Sequence, residues 1–407
     1  MGCAASSNAA PLHEQFETKS SPVVAAVPDS GAPPVQVDVR ESSSTLDVSI
    51  SQGFLHGGGN IQATTSEDAA IYKFIVDAQT REGLRVLTSF PKMEVPEMPT
   101  FGAVVAMAQG QSASLQMHST SVVVLMPMPA GMTISTKCAY VPYSAIATVG
   151  YNNARIDHVQ DGMMGCIAHE ANHGFRCVGM RVVNASTAVG NGSYGGGLSS
   201  TVLAELVFQK IHAPLVTAAG PGLVQVTETF ETLAVQSAVT VRTATAFGGM
   251  ATDVPELLST LNAYGAQGWE LSGFLMTQSS GTMPMASIMN GGMQPGMSMG
   301  QPIQMPFQMF MSRVPMTATP VQYLVLRHHY RLNMVSMMMG AGRPQLLDDP
   351  KPLFEAYAAK GWLLKGALNL PPEMRPGQVD IRLPLLLVFM SNTAAIPWAV
   401  PVAEVVT

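Results

Sequence analysis

His169-Glu170-Ala171-Asn172-His173 is the arrangement in this chain with the most explicit chemical meaning. On a helix, histidines four residues apart face one way and can ligate zinc, and the glutamate between them is placed to act as general base. A catalytic zinc also needs a third protein ligand. The next acidic residue is Glu205, in a segment that reads as a strand, and Gly174 stops the helix at once. The plainer reading of His169, Glu170 and His173 is a solvated helix end, where imidazoles suit the negative pole of the dipole. We therefore expect no cofactor and no enzyme activity, with a zinc metallohydrolase on these residues as the alternative.

Two other motifs weaken on inspection. Gly190-x-Gly192-x-x-Gly195 has the letters of a dinucleotide fingerprint. That fingerprint must follow a strand directly and open a helix, whereas residues 184–189 intervene and the next segment reads as a strand. Arg327-His328-His329-Tyr330-Arg331 alternates along a strand, with His328 and Tyr330 on one face, and reads as a solvated strand end. Cys3, Cys138, Cys166 and Cys177 have neither zinc-pair nor disulfide-ladder spacing, so reduced thiols are expected.

The N-terminus carries a different kind of chemistry. Met1-Gly2-Cys3-Ala4-Ala5-Ser6 fits the acceptor pattern for myristoylation of Gly2, with Cys3 beside it as the natural palmitoylation site. One myristoyl chain holds a membrane only marginally, so a second signal is needed. The first cations, Lys19 and Arg40, make no basic patch, which leaves Cys3. Residues 8–42, rich in Ala, Ser, Pro and Val, read as a tether of low complexity. A net charge of -6 with 21 Lys and Arg argues against a nucleic-acid partner, which would need clustered cations. No apolar run reaches the roughly 20 residues of a spanning helix.

The elements that would position these residues repeat. A helical pattern, a glycine and a large apolar residue opening a strand recur at Gly83-Leu84, Gly174-Phe175, Gly268-Trp269 and Gly361-Trp362, with glycines 91, 94 and 93 residues apart. Each glycine is expected to end its helix in the left-handed conformation. The expected N-caps are Thr65 or Ser66, Asp157, Asp253 and Asp349. Strand patterns at 45–50, 138–149, 223–241 and 321–335 precede the helices, and others at 121–126, 202–211, 305–314 and 381–389 close each unit. The unbroken apolar run Leu385-Leu386-Leu387-Val388-Phe389 implies burial on both faces. The fold expected is α+β: four tandem strand–helix–strand–strand modules of about 90 residues, with antiparallel sheets pairing and helices outside. The expected divisions are an acylated tether at 1–42 and modules at 43–130, 131–213, 214–316 and 317–407. Gly-, Ser- or Met-rich stretches at 184–200 and 281–302 read as loops.

The segment from Val254 to Leu271, Val-Pro-Glu-Leu-Leu-Ser-Thr-Leu-Asn-Ala-Tyr-Gly-Ala-Gln-Gly-Trp-Glu-Leu, resembles the signature helix and strand of the raftlin family. The resemblance is specific over residues 1–6 and 253–276. It implies acylation of Gly2 and Cys3, a place in lipid rafts on the cytoplasmic face of the plasma membrane, and a non-enzymatic scaffold role in receptor signalling or membrane trafficking. The membrane, through those lipids, is the implied partner. A lipid or small-molecule binding module in a cleft between paired repeats is a further alternative.

Overall fold

The structure is a computed structural model. It describes residues 27–50, 59–65, 70–91, 113–128, 133–150, 154–159, 162–190, 195–212, 229–244, 249–276, 303–315, 319–332, 350–370, 373–374 and 381–391. Gly2, Cys3, Ser66, Asp349 and the 281–302 stretch lie outside the described residues.

Strands dominate, with four helices among the described residues, which makes the class α+β. β1 (Asp38–Ile50) and β2 (Gly59–Thr65) precede α1 (Ala70–Glu82), and β3 (Leu84–Pro91) and β4 (Ala113–Pro127) come after it. β5 (Thr133–Gly150) and β6 (Ala154–Val159) lead to α2 (Met163–Asn172), then β7 (Arg176–Gly190) and β8 (Gly195–His212). β9 (Glu231–Ala244) and β10 (Gly249–Asp253) lead to α3 (Leu257–Gly265), then β11 (Glu270–Met276) and β12 (Ile303–Arg313). β13 (Gln322–Leu332), α4 (Lys351–Ala358), β14 (Leu363–Asn369), β15 (Glu373–Met374) and β16 (Ile381–Ser391) complete the order. No described helix is long and apolar enough to cross a membrane.

The strands form two eight-stranded sheets, one from β1–β8 and one from β9–β16. The first runs β2-β1-β4-β3-β7-β8-β5-β6, with β2 also paired to β7. The second runs β11-β12-β9-β10-β15-β16-β13, with β14 on β16. Among the described residues every pairing is antiparallel except the parallel bridge between Ser89 and Gly179 on β3 and β7. The β2–β7 and β10–β15 pairings tie strands before one helix to strands after the next, so the expected modules interlock.

Helix ends explain why the glycines are where they are. Gly83, Gly174, Gly268 and Gly361 have φ of 66°, 78°, 78° and 79°, where a Cβ is penalised. After α2, α3 and α4 the glycine N–H donates three residues back, to Ala171, Gly265 and Ala358. The next N–H, of Phe175, Trp269 or Trp362, donates to the carbonyl of Glu170, Tyr264 or Tyr357. That pair of bonds is the Schellman ending. After α1 the Gly83 N–H donates to the Gln79 carbonyl, the simpler left-handed ending.

The strand after each glycine also has a recurring irregularity. β3, β7, β11 and β14 each slip register near their start, leaving Leu87, Val178, Ser272 and Lys365 as the extra residue of a bulge, and β7 slips again between Val182 and Asn184. Each lies four residues after its glycine. The next residue is Thr88, Gly179, Gly273 or Gly366. These glycines allow close approach: a Cβ on Gly179 would overlap Ser89, one on Gly273 would lie 3.4 Å from the Met180 sulfur, and one on Gly366 would lie 3.1 Å from the Phe274 ring. Thr88 Oγ1 donates to the Lys365 carbonyl at 3.1 Å. The four bulged strands thus meet in a ring, β3 beside β7, β7 beside β11, β11 beside β14 and β14 beside β3.

The core surrounds this ring. Alternate residues of β16 enter two clusters: Leu385, Leu387 and Phe389 pack with Trp362 and Tyr357, while Leu386, Val388 and Met390 pack with Trp269 and Leu261. Both faces of the apolar run are buried. Each helix buries one stripe, such as Met163, Ile167 and Ala171 on α2, or Phe354, Tyr357 and Ala358 on α4.

Several expectations are corrected. A second strand, β2, β6 or β10, stands before each of the first three helices. Asp157 and Asp253 do not cap, because they lie in β6 and at the end of β10. The capping positions are Gly162 and Glu256, both left-handed and without a side-chain cap bond, while Thr65 ends β2. α4 starts from Pro350, with Pro352 in its first turn. The 184–200 stretch is largely strand, since β7 runs to Gly190 and β8 starts at Gly195. Of the four large apolar residues that follow the glycines, Trp269 and Trp362 are buried and Leu84 and Phe175 are half-buried. Finally, residues 28–35, placed in the tether, bind the body. Ser30 bonds the Lys360 carbonyl through N and Oγ, Val35 N–H reaches the Ala358 carbonyl, and Trp362 Nε1 donates to the Pro28 carbonyl at 2.9 Å. β1 then begins at Asp38, inside the expected tether.

Candidate functional site

The histidine motif lies on the last turns of α2. Both imidazoles are exposed and their ring centroids are 4.6 Å apart. His173 Nδ1 lies 2.7 Å from the His169 carbonyl oxygen, so that nitrogen is engaged with its own helix. Glu170 turns to the β5 side, where it pairs with Lys137. Lys210 Nζ donates to the His173 carbonyl at 2.8 Å and supplies the cation that the helix C-terminus favours. Glu205, the next acid along the chain, is fully buried on β8, where it accepts from Cys138 and Tyr140. Among the described residues no group of three His, Cys, Asp or Glu is placed to hold a metal ion.

The other motifs resolve into structure. Gly190 ends β7 and Gly195 begins β8, and the two strands pair antiparallel, so neither glycine opens a helix; Gly192 lies outside the described residues. The Arg327–Arg331 run lies within β13, and its solvated-end reading is corrected. Arg327 Nη2 donates to the Thr252 carbonyl and pairs with Glu373, and His329 Nε2 lies 3.5 Å from Glu373. Thr252 donates to Glu373 through N and Oγ1 at 2.8 and 2.9 Å. Burial raises the Glu373 carboxyl, but His329, Thr252 and Arg327 outweigh it and hold the group at about 2. The cluster pins β15 against β10 and β13. Cys177 is buried and its thiol is pushed up to about 12 by loss of solvent, so it stays protonated.

A further concentration of charge lies in the ring of bulged strands, at residues that belong to none of the sequence motifs. Arg85, Arg176 and Glu270 each sit two residues after a repeat glycine, and Lys365 is the bulged residue of β14. Arg176 Nη2 donates to Glu270 Oε2 at 2.8 Å, and Lys365 Nζ donates to the same oxygen at 3.0 Å. Burial raises the Glu270 carboxyl, yet Arg176 and Lys365 outweigh it and hold it well below the usual carboxylate range. Burial lowers Lys365 more than Glu270 restores it. Burial and the Arg176 charge also lower Arg85, which as a guanidinium keeps its proton. Beside them the Tyr323 hydroxyl donates to the Trp269 carbonyl and accepts from Leu271 N–H. The short offset of each charge from its glycine is the signal that locates the cluster.

No protein-family model, curated protein or solved structure matches the chain.

Proposed function

We propose that the chain is a non-enzymatic, lipid-anchored scaffold of raftlin type, held at the cytoplasmic face of the plasma membrane by myristoyl on Gly2 and palmitoyl on Cys3. Its body is four copies of one strand–helix–bulged-strand unit fused around a common ring, which presents surfaces to protein partners in signalling or trafficking. The observation that carries this reading is the Met1-Gly2-Cys3 start ahead of residues 28–35 bound at the C-terminal end of α4. Twenty-four residues lie between Cys3 and Pro28, a reach of at most roughly 90 Å. An anchor at one end would keep the body at the membrane. The non-enzymatic reading is supported by the engagement of Glu170 with Lys137 and of His173 with its own backbone.

The test is fractionation of cells expressing the full chain. Gly2→Ala should move it from membrane to cytosol, and Cys3→Ser should leave weak, reversible binding, since one acyl chain is marginal. Retention of the doubly substituted chain in the membrane fraction would overturn the anchor.

A further inference from the structure

We propose that the ring where β3, β7, β11 and β14 meet is a binding site for a phosphate-type dianion, read by Arg85, Arg176 and Lys365. This rests on the ring alone and is independent of the lipid anchor.

Arg85, Arg176 and Lys365 are three cations, and among the described residues Glu270 is the carboxylate that acts on all three. Three positive charges against one negative leave a surplus of two inside a chain whose net charge is -6. Excess charge inside a fold is costly unless it is paired. A guanidinium cannot shed its proton to escape that cost.

The hydrogen bonds then say which cation is available. Arg176 and Lys365 converge on Glu270 Oε2, so the carboxylate serves those two. Arg85 Nε is buried and has no hydrogen-bond partner among the described residues. A planar guanidinium offers two parallel N–H groups, the geometry that phosphate and carboxylate oxygens accept. A surplus of two matches a dianion better than a monocarboxylate. Neighbouring polar groups do not compete: the Tyr323 hydroxyl is engaged on both sides and Cys177 is a neutral thiol.

The site is also reachable. Arg176 and Glu270 keep 23% and 28% of their side-chain surface exposed, and Lys365 keeps 11%. Gly179, Gly273 and Gly366 let Ser89, Met180 and Phe274 pack against three strands of the ring, which holds the charged residues close to one another. Each copy of the repeat contributes one charged residue, which only assembly of all four brings together.

Free phosphate and a phosphomonoester share this chemistry, so both are probes. The full chain is titrated calorimetrically with inorganic phosphate and with glycerol 3-phosphate at fixed ionic strength, with chloride as control. Saturable binding of either probe, absent with chloride, is expected. Binding of both marks a site open to monoesters, and binding of phosphate alone marks one closed to them. Arg85→Met should weaken binding at least ten-fold while leaving the Glu270 pairs in place. Glu270→Gln raises the surplus to three and should tighten binding. Should Arg85→Met not fold, Arg85→Lys keeps the charge without the fork and should bind at least three-fold more weakly. No saturable binding by the unaltered chain, equal heats with chloride, or unchanged affinity in the Arg85 variant would overturn the proposal.

Discussion

Alanine at Gly361 should cost far more than alanine at Gly83, although both glycines end a helix in the same backbone conformation. At either position a Cβ in the left-handed region costs about 1–2 kcal/mol. A Cβ at Gly83 meets nothing within 4 Å, so that is its whole cost. A Cβ at Gly361 would overlap Ser30 Oγ and lie 2.6 Å from the Ala32 carbonyl oxygen. Residues 28–32 of the bound segment must then lift. Lifting it loses the Ser30 N and Oγ bonds to Lys360 and the Trp362 Nε1 bond to Pro28. At roughly 1 kcal/mol net per bond, this adds about 3 kcal/mol. Urea unfolding of the two variants checks the difference. A double-mutant cycle checks its cause: in a Ser30→Gly background the cost at Gly361 should fall by about 1 kcal/mol, because one overlap is gone. Equal costs at Gly83 and Gly361, with no coupling to Ser30, would refute the docking of residues 28–35.

Trp362→Ala should destabilise by about 3–5 kcal/mol, since a fully buried indole leaves a cavity and an unmade bond to Pro28; Leu84→Ala, at a half-buried equivalent, should cost much less in the same unfolding series. Glu373 has a lowered carboxyl, so its contribution is fully present above its ordinary value of 4.5 and fades as pH falls toward 2. Glu373→Gln should therefore be less stable at pH 7 by an amount on the order of 3 kcal/mol, with the gap to the unaltered chain closing on acidification in a pH series of thermal melts. His169→Ala should change stability by less than about 1 kcal/mol, as for an exposed side chain, and should not alter the metal content measured by mass spectrometry.

The sequence made the helix ends legible because a left-handed residue strongly favours glycine, and four glycines about 90 residues apart are hard to miss. The apolar run at 385–389 was legible for the same kind of reason, since only burial on both faces suits it. The helix starts were not. Asp157 and Asp253 have the right chemistry for capping but fall inside short strands, and the true starts at Gly162 and Glu256 use backbone conformation without a side-chain cap. β2, β6 and β10 carry too few apolar residues to announce themselves, and they form by pairing with a longer neighbour. Residues 28–35 look like linker because composition cannot report a surface that exists only when Gly361 and Trp362 are folded beneath them. The charged ring escaped because Arg85, Arg176, Glu270 and Lys365 are scattered in sequence. Their offsets from the repeat glycines have meaning only once the bulges are aligned.

The central claim is that this body is held at a membrane by its own N-terminus. Mass spectrometry of the N-terminal peptide, taken from the full chain expressed in eukaryotic cells, tests it most directly. The account predicts loss of Met1, a myristoyl group on the Gly2 amine and a hydroxylamine-sensitive palmitoyl thioester on Cys3. A retained Met1, or a free Gly2 amine beside an unmodified Cys3 thiol, would contradict it.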